Sequence, residues 1–316
     1  MAERIIMKLF DLHCDTSIRL LERRQSLYEN NCHISLKKAE YLENYAQVMA
    51  IFSQKHLSDA EAYARFFEVV ENLKKEVEEN KDSVKIIEKS EELAPLWQQN
   101  KIPFILAVED ARLLEGDLSR LDALYENGVK ILTLNWLGET CIGGAHDTHS
   151  PLTDFGREVV KKCFSLGIIP DVSHASFEGT KECIALAKEY KKPIIASHSD
   201  SYSVCKHSRN LTDEDFKDIV SLGGIVGISL CTVHLVNDSK ANISDIIKHI
   251  EHYLSLGGEN AVCMGCDLDG TDLPIGINDI SDLCKIEAEL KRLGYPYDTI
   301  EKILYKNAFE FIKKNI

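Results

Sequence analysis

Six acidic or imidazole side chains stand where apolar runs of this sequence end, and their types are those that bind divalent cations. His13 and Asp15, in "FDLHCDTS", follow the run "IIMKLFDLH" (5–13). Glu109 closes "PFILAVE" (103–109), His174 closes "GIIPDVSH" (167–174), His198 closes "PIIASH" (193–198) and Asp267 closes "AVCMGCD" (261–267). Two strand residues separated by one other point to the same face, so His13 and Asp15 are expected to share a target. A carboxylate at the end of a run such as "FILAV" is expected to be buried, and a buried charge needs a cation or an arginine beside it. His174 in "VSHAS" and His198 in "ASHSD" have the same serine surroundings, which favours a common role for the pair. In "CDLDG" the Asp269-Gly270 pair suits a turn, leaving Asp267 as the chemical group.

Three histidines, two carboxylates and a further aspartate exceed what one tetrahedral zinc takes from protein in an open site. They suit two divalent ions, with His13 and Asp15 on one, His174 and His198 on the other, and Glu109 bridging both. Such a pair can hold a shared hydroxide as nucleophile and polarise a carbonyl or phosphoryl oxygen. Asp267 is then free to take a proton from the nucleophile and pass it to the leaving group. The ligand types favour zinc, with Mn²⁺ or Co²⁺ as substitutes. The reaction class is hydrolysis, and the residues leave both an amide and a phosphoester open. His146 and His149, in the loop "GGAHDTHSP", are candidates to reach the site from above. His249 and His252 fall on the polar side of "ISDIIKHIEHYL" and are expected to be solvated.

What must position these residues is a repeated unit. The five runs above that end in candidate residues are joined by "QVMAIFS" (47–53), "VKILTLNW" (129–136) and "GGIVGISL" (223–230), making eight in all. Segments with 3.6-residue periodicity lie between them, such as "DAEAYARFFEVVENLKKEVEE" and "FGREVVKKCFSLG"; in "LTDEDFKDIVSLGG" Thr212 is placed as an N-cap and Gly223 as a stop. Strands alternating with helices pair in parallel through right-handed crossovers. Eight units predict a TIM-like (β/α)₈ barrel with extra helices, in region 57–100 and at the C-terminus, as one domain over residues 1–316. In such a barrel the strand ends converge on the face where active sites form. A doubly wound sheet is disfavoured because no GxGxxG or P-loop follows the first strand.

Composition limits the partners. The net charge of −14 argues against nucleic acid or an anionic membrane. No apolar stretch approaches the ~20 residues needed to cross a bilayer. The N-terminus does not read as a signal peptide, so a cytoplasmic location is expected, with the ten cysteines reduced. The one CxxC, Cys263 to Cys266, lies in a strand-like run whose alternation puts the sulfurs on opposite faces, against a metal or redox role.

The motifs "DLHCDT", "AVE", "LTDFGREVV", "LGIIPDVSHAS", "PIIASHSDSYSV", "SRNLTDE" and "GCDLDG" resemble, in this order, the membrane (renal) dipeptidase family of binuclear zinc peptidases. The resemblance runs from about residue 8 to the final helix. It implies the barrel and the hydrolysis of small-molecule dipeptides, including those with a D-residue at the C-terminal position. By position, it makes His13 and Asp15 ligands of one zinc, Glu109 the bridge, His174 and His198 ligands of the other, and Asp267 the acidic catalytic residue. It also makes Arg209, in "HSRN", the group that takes the substrate carboxylate, for which a planar guanidinium is suited. Trp136 stands where animal members carry a histidine that contacts the substrate carbonyl, so His146 or His149 is expected to supply that contact. A net-negative surface and the resemblance are compatible with a homodimer. Two other readings compete: a metal-dependent phosphoesterase, and a relative that binds dipeptides without turning them over.

Overall fold

The structure is a computed structural model that describes residues 7–238 and 240–316. Eight strands alternate with helices: β1 (Met7–Cys14), β2 (Leu42–Phe52), β3 (Val84–Ile86), β4 (Ile102–Glu109), β5 (Val129–Thr133), β6 (Ile169–Asp171), β7 (Val226–Ile228) and β8 (Val262–Met264). Seven of them form one parallel sheet in the order β6-β5-β4-β2-β1-β8-β7. The edges β6 and β7 are joined by the segment around Ile195, through the pairings Asp171↔Ile195 and Ala196↔Val226. The ring is thereby closed as a TIM-like barrel.

One of the eight expected walls differs from expectation, and one strand is additional to them. The run 193–198 makes single bridges instead of a regular strand. Its Ser197 carbonyl approaches the neighbouring backbone closely: a Cβ at Gly227 or Gly265 would lie 1.9 or 1.8 Å from it, so only glycine fits at those two positions. The eighth named strand, β3, lies in a region expected to be helical and pairs only with β4, outside the ring. Of the N-terminal run, Ile5 and Ile6 lie outside the described residues.

The interior is filled from alternate positions of successive walls. Phe10 and Leu12 of β1, Ala46, Val48 and Ala50 of β2, and Ile105 and Ala107 of β4 belong to one buried cluster with Ile131, Ile169, Ile195, Ile225 and Cys263. The side chains Ala308, Phe311 and Ile312 of the last helix (Asn307–Asn315) complete it. That helix sits at the strands' starting end, where Asn307 Nδ2 donates to the carbonyl of Val262 at 2.8 Å. Outward-facing residues form a second, larger core under the helices. Cys263 and Cys266 fall in different clusters, as alternation requires, and all ten cysteines are free.

The helices begin and end where local chemistry predicts. Asp59–Glu79 starts with a capping box between Ser58 and Glu61. Asp154–Leu166 is capped by Thr153 and stopped by Gly167 at φ +78°. Thr212 caps Asp213–Ser221. Among the described residues no helix is long and apolar enough to cross a membrane.

Candidate metal centre and active site

The six expected residues meet at one end of the barrel. Glu109 is the last residue of β4 and continues the inward face of Ile105 and Ala107. Its two carboxylate oxygens divide their neighbours. Oε2 is 3.5 Å from Nε2 of His13, whereas Oε1 is 3.1 Å from Nε2 of His174 and 3.6 Å from Nε2 of His198. The Nε2 atoms of His174 and His198 are 3.0 Å apart, and the rings of His13 and His198 lie with centroids at 3.8 Å, tilted by 32°. Asp267 places Oδ1 3.9 Å from His13 Nε2.

Simple strand alternation does not account for the meeting of His13 and Asp15. The pairing of β1 slips in register between Asp11 and Cys14, and Asp15 lies past the strand as N-cap of the helix Thr16–Arg23. It is tied there by its N–H to the carbonyl of Leu268 at 2.9 Å. Nearby, a Cβ on Gly270 would stand 2.2 Å from carboxylate oxygens of both Asp15 and Asp267, so only glycine lets the two acids approach. His174 and Asp267 hold left-handed backbone at φ +69° and +57°, a conformation unfavourable for non-glycine residues and common at functional sites. Asp269 serves the turn: it accepts from the N–H of His33 at 2.7 Å and from Thr16.

The residues fit divalent cations on their own chemistry. His13 Nε2 and Asp15 Oδ1 are buried without a hydrogen-bond partner. Ligand atoms of His13, Glu109 and His198 lie within 4.8 Å of one another, as do those of His13, Asp15 and Asp267. Burial pushes the carboxyl of Glu109 up to about 8. Burial, reinforced by the charge of Glu109, pushes that of Asp15 up to about 7. Burial likewise raises Asp267 well above the carboxylate range and holds His174 and His198 well below the imidazole range. Each shift is a penalty on charge that a bound cation would relieve for the acids while using the neutral imidazoles as ligands.

A cleft of about 320 Å³ opens onto this centre. One wall is Phe52, Trp136 and Leu137, with Phe52 and Trp136 edge to face at 4.7 Å. The other includes His146 and His234. His146 donates its N–H to the His174 carbonyl at 2.7 Å, and its Nδ1 meets Ser208 Oγ at 3.0 Å. Burial, with the nearby Arg209, holds its pKa down to about 4, so its ring is neutral near pH 7.

Three further residues sit away from the cleft surface. His149 is solvent-exposed and is not among the cleft residues, because the loop turns it away while His146 is tied to His174. Arg209 is buried and does not line the cleft; Nη1 donates to Ser199 Oγ and Nη2 to the His198 carbonyl, both at 2.8 Å. His249, expected in solvent, is fully buried, accepting the Ser201 N–H at 3.0 Å and meeting the Leu235 carbonyl at 2.9 Å. His252 remains partly exposed, against Asp213. Phe52, Arg19, Cys231, His234 and Thr271 also line the cleft, and none of them ends an apolar run in a way that marks it as a ligand. The only local signal for Asp171 is a carboxylate at the end of an apolar run.

Residues 3–315 match the profile of the membrane dipeptidase family, Peptidase family M19. An uncharacterised Klebsiella pneumoniae protein in the pqqA 5′ region is 29% identical over 229 residues, spanning 68% of this chain and 83% of the relative. A Rhodobacter sphaeroides metallopeptidase, crystallised with a phosphinate mimic of the dipeptide L-Ala-D-Ala, superposes with a TM-score of 0.91 at 22% identity, over 98% of this chain and 100% of that one. A probable dipeptidase from Pseudomonas aeruginosa superposes with a TM-score of 0.89 at 19% identity, over 99% and 97%. These structures share the barrel, and the match along almost the whole sequence goes further: the chain belongs to the membrane dipeptidase family and is a metallohydrolase of the dipeptidase type.

Proposed function

We propose that this protein hydrolyses the peptide bond of dipeptides, L-Xaa-D-Xaa among them, at a centre of two divalent ions, zinc by the ligand set. The observation that carries this reading is the division of Glu109, with one oxygen toward His13 and the other toward His174 and His198. His13 and Asp15 would hold one ion, His174 and His198 the other, and Glu109 both. When bound, the ions would supply a hydroxide nucleophile at neutral pH and polarise the scissile carbonyl. The phosphinate mimic carried by the Rhodobacter enzyme supports including D-residues at the C-terminal position.

The remaining steps fall to side chains. Asp267 takes the proton of the attacking nucleophile on a carboxylate oxygen and returns it to the leaving amine nitrogen. His146, neutral in the cleft wall, offers a ring N–H toward the substrate carbonyl oxygen. Phe52, Trp136 and Leu137 exclude water along one side of the substrate. Arg209 has five N–H donors, and the two bonds it makes leave capacity for the substrate carboxylate, directly or through water. Residues 1–316 act as one catalytic unit in this reading.

Metal analysis of protein purified without chelators, followed by a panel of L-L and L-D dipeptides, tests it. Two bound ions and amino-acid release that disappears in Asp267→Asn are expected. Two bound ions without release from any dipeptide, or hydrolysis of an aryl phosphate instead, would overturn it.

A further inference from the structure

His198 is gripped from the side away from Glu109. Asp171, the last residue of β6, is fully buried, and its carboxylate takes four donors. The N–H groups of Ser173 and Ser197 reach Oδ1 at 2.9 Å each. The hydroxyls of Thr133 and Ser197 reach Oδ2 at 2.6 Å each. Ser197 Oγ is also 2.7 Å from Nδ1 of His198. A carboxylate with donors on both oxygens can only accept, so the single Ser197 proton goes to Asp171 and the Ser197 oxygen must accept from His198. Nδ1 therefore carries the imidazole proton, and the Nε2 lone pair faces Glu109 Oε1.

The frame continues to Arg209. Ser173 Oγ receives the N–H of His198 at 3.1 Å and lies 3.3 Å from Ser199 Oγ, which accepts from Arg209 Nη1. Glycine at 227 and 265 leaves room for the Ser197 carbonyl, which a Cβ at either position would meet at 1.9 or 1.8 Å.

We propose that Asp171, acting through Ser197, is the positioning residue that sets the tautomer and direction of the His198 imidazole. The inference rests on the metal-centre reading above, in which His198 Nε2 is a ligand. Ser199 belongs to the same frame but serves Arg209, and so provides an internal contrast.

The tautomer is read in metal-free protein by nitrogen-15 NMR of the imidazoles, and zinc affinity by calorimetric or chelator competition. Wild-type protein is expected to show His198 protonated on Nδ1. Ser197→Ala is expected to lose that preference and to bind one of two zinc ions about 10–100-fold more weakly, the usual effect of removing a group that orients a ligand. Ser197→Thr keeps the hydroxyl and should restore both. Ser199→Ala should raise KM while leaving the tautomer and zinc affinity unchanged, which a merely structural frame would not separate. If Ser197→Ala does not fold, Asp171→Asn replaces it: its amide donates to Ser197, reverses the chain and should move the proton to Nε2. An unchanged tautomer, or wild-type affinity for both ions in the alanine variant, overturns the inference. If wild-type protein binds no zinc, the metal-centre reading fails, and the tautomer in metal-free protein still decides the relay.

Discussion

The two ends of the barrel follow opposite rules. Where the strands finish, buried space is given to His13, Asp15, Glu109, His198 and Asp267, with His174 half-buried beside them, and several of their polar atoms have no partner. Where the strands begin, Ala308, Phe311 and Ile312 seal the interior, and Trp97 stacks on Tyr305 at 5.6 Å and meets Phe309 edge-on at 5.1 Å. Burying unpaired charge costs free energy and burying aromatic surface returns it. The difference teaches that the stability of this barrel is concentrated away from its chemistry, as in other barrels of this architecture.

That division can be broken from either side. The largest effect is expected at the polar end: Asp267→Asn should lower kcat by about 10²–10⁴-fold, the usual worth of a positioned acid–base group. Its thermal midpoint should stay near that of the parent; a large fall in stability would make Asp267 structural. At the other end, Phe311→Ala should cost roughly 3–5 kcal/mol in chemical denaturation, the range for truncating a buried aromatic. At temperatures where it is folded its kcat should be unchanged, and a parallel loss of activity would dissolve the contrast between the ends.

The charge cost of the polar end can be read from pH. Glu109 has a carboxyl raised to about 8 in the metal-free fold, above its unfolded value near 4.5. A raised carboxyl favours folding below the unfolded pKa, and that contribution is lost as pH rises toward the folded pKa. Metal-free protein should therefore lose stability between about pH 4.5 and 8, with Asp15 acting in the same direction up to about 7. Zinc, or Glu109→Gln, should flatten the slope; a metal-free melting profile without it would count against the burial argument. The smallest effect separates two neighbours in one loop. His146→Ala should lower kcat/KM several-fold, and His149→Ala, in solvent, should leave it unchanged. Equal effects would place the loop's role elsewhere.

Several of these features were legible in the amino-acid order because they are local. Glu109 follows "FILAV", and the two-residue period of a strand is enough to aim it inward. The cap at Thr212 lies beside the group it satisfies. β3 was not legible, since Val84–Ile86 is three residues long and leaves no periodicity to read. His249 was misread because the helix face judged polar by composition packs against the loop of Ser201 and the carbonyl of Leu235, which lie 48 and 14 residues away.

By itself the sequence determined the barrel, the start and stop of the helix capped by Thr212, and the kinds of side chain gathered at the strand ends, since each depends on spacing within one run. Only the tertiary structure decided which atoms face one another. It divided the Glu109 oxygens between His13 and the His174–His198 pair, placed Arg209 behind the cleft and joined Asp171 to His198 through Ser197. Periodicity orients a side chain relative to its own strand, and barrel closure alone sets the distance to a partner on another.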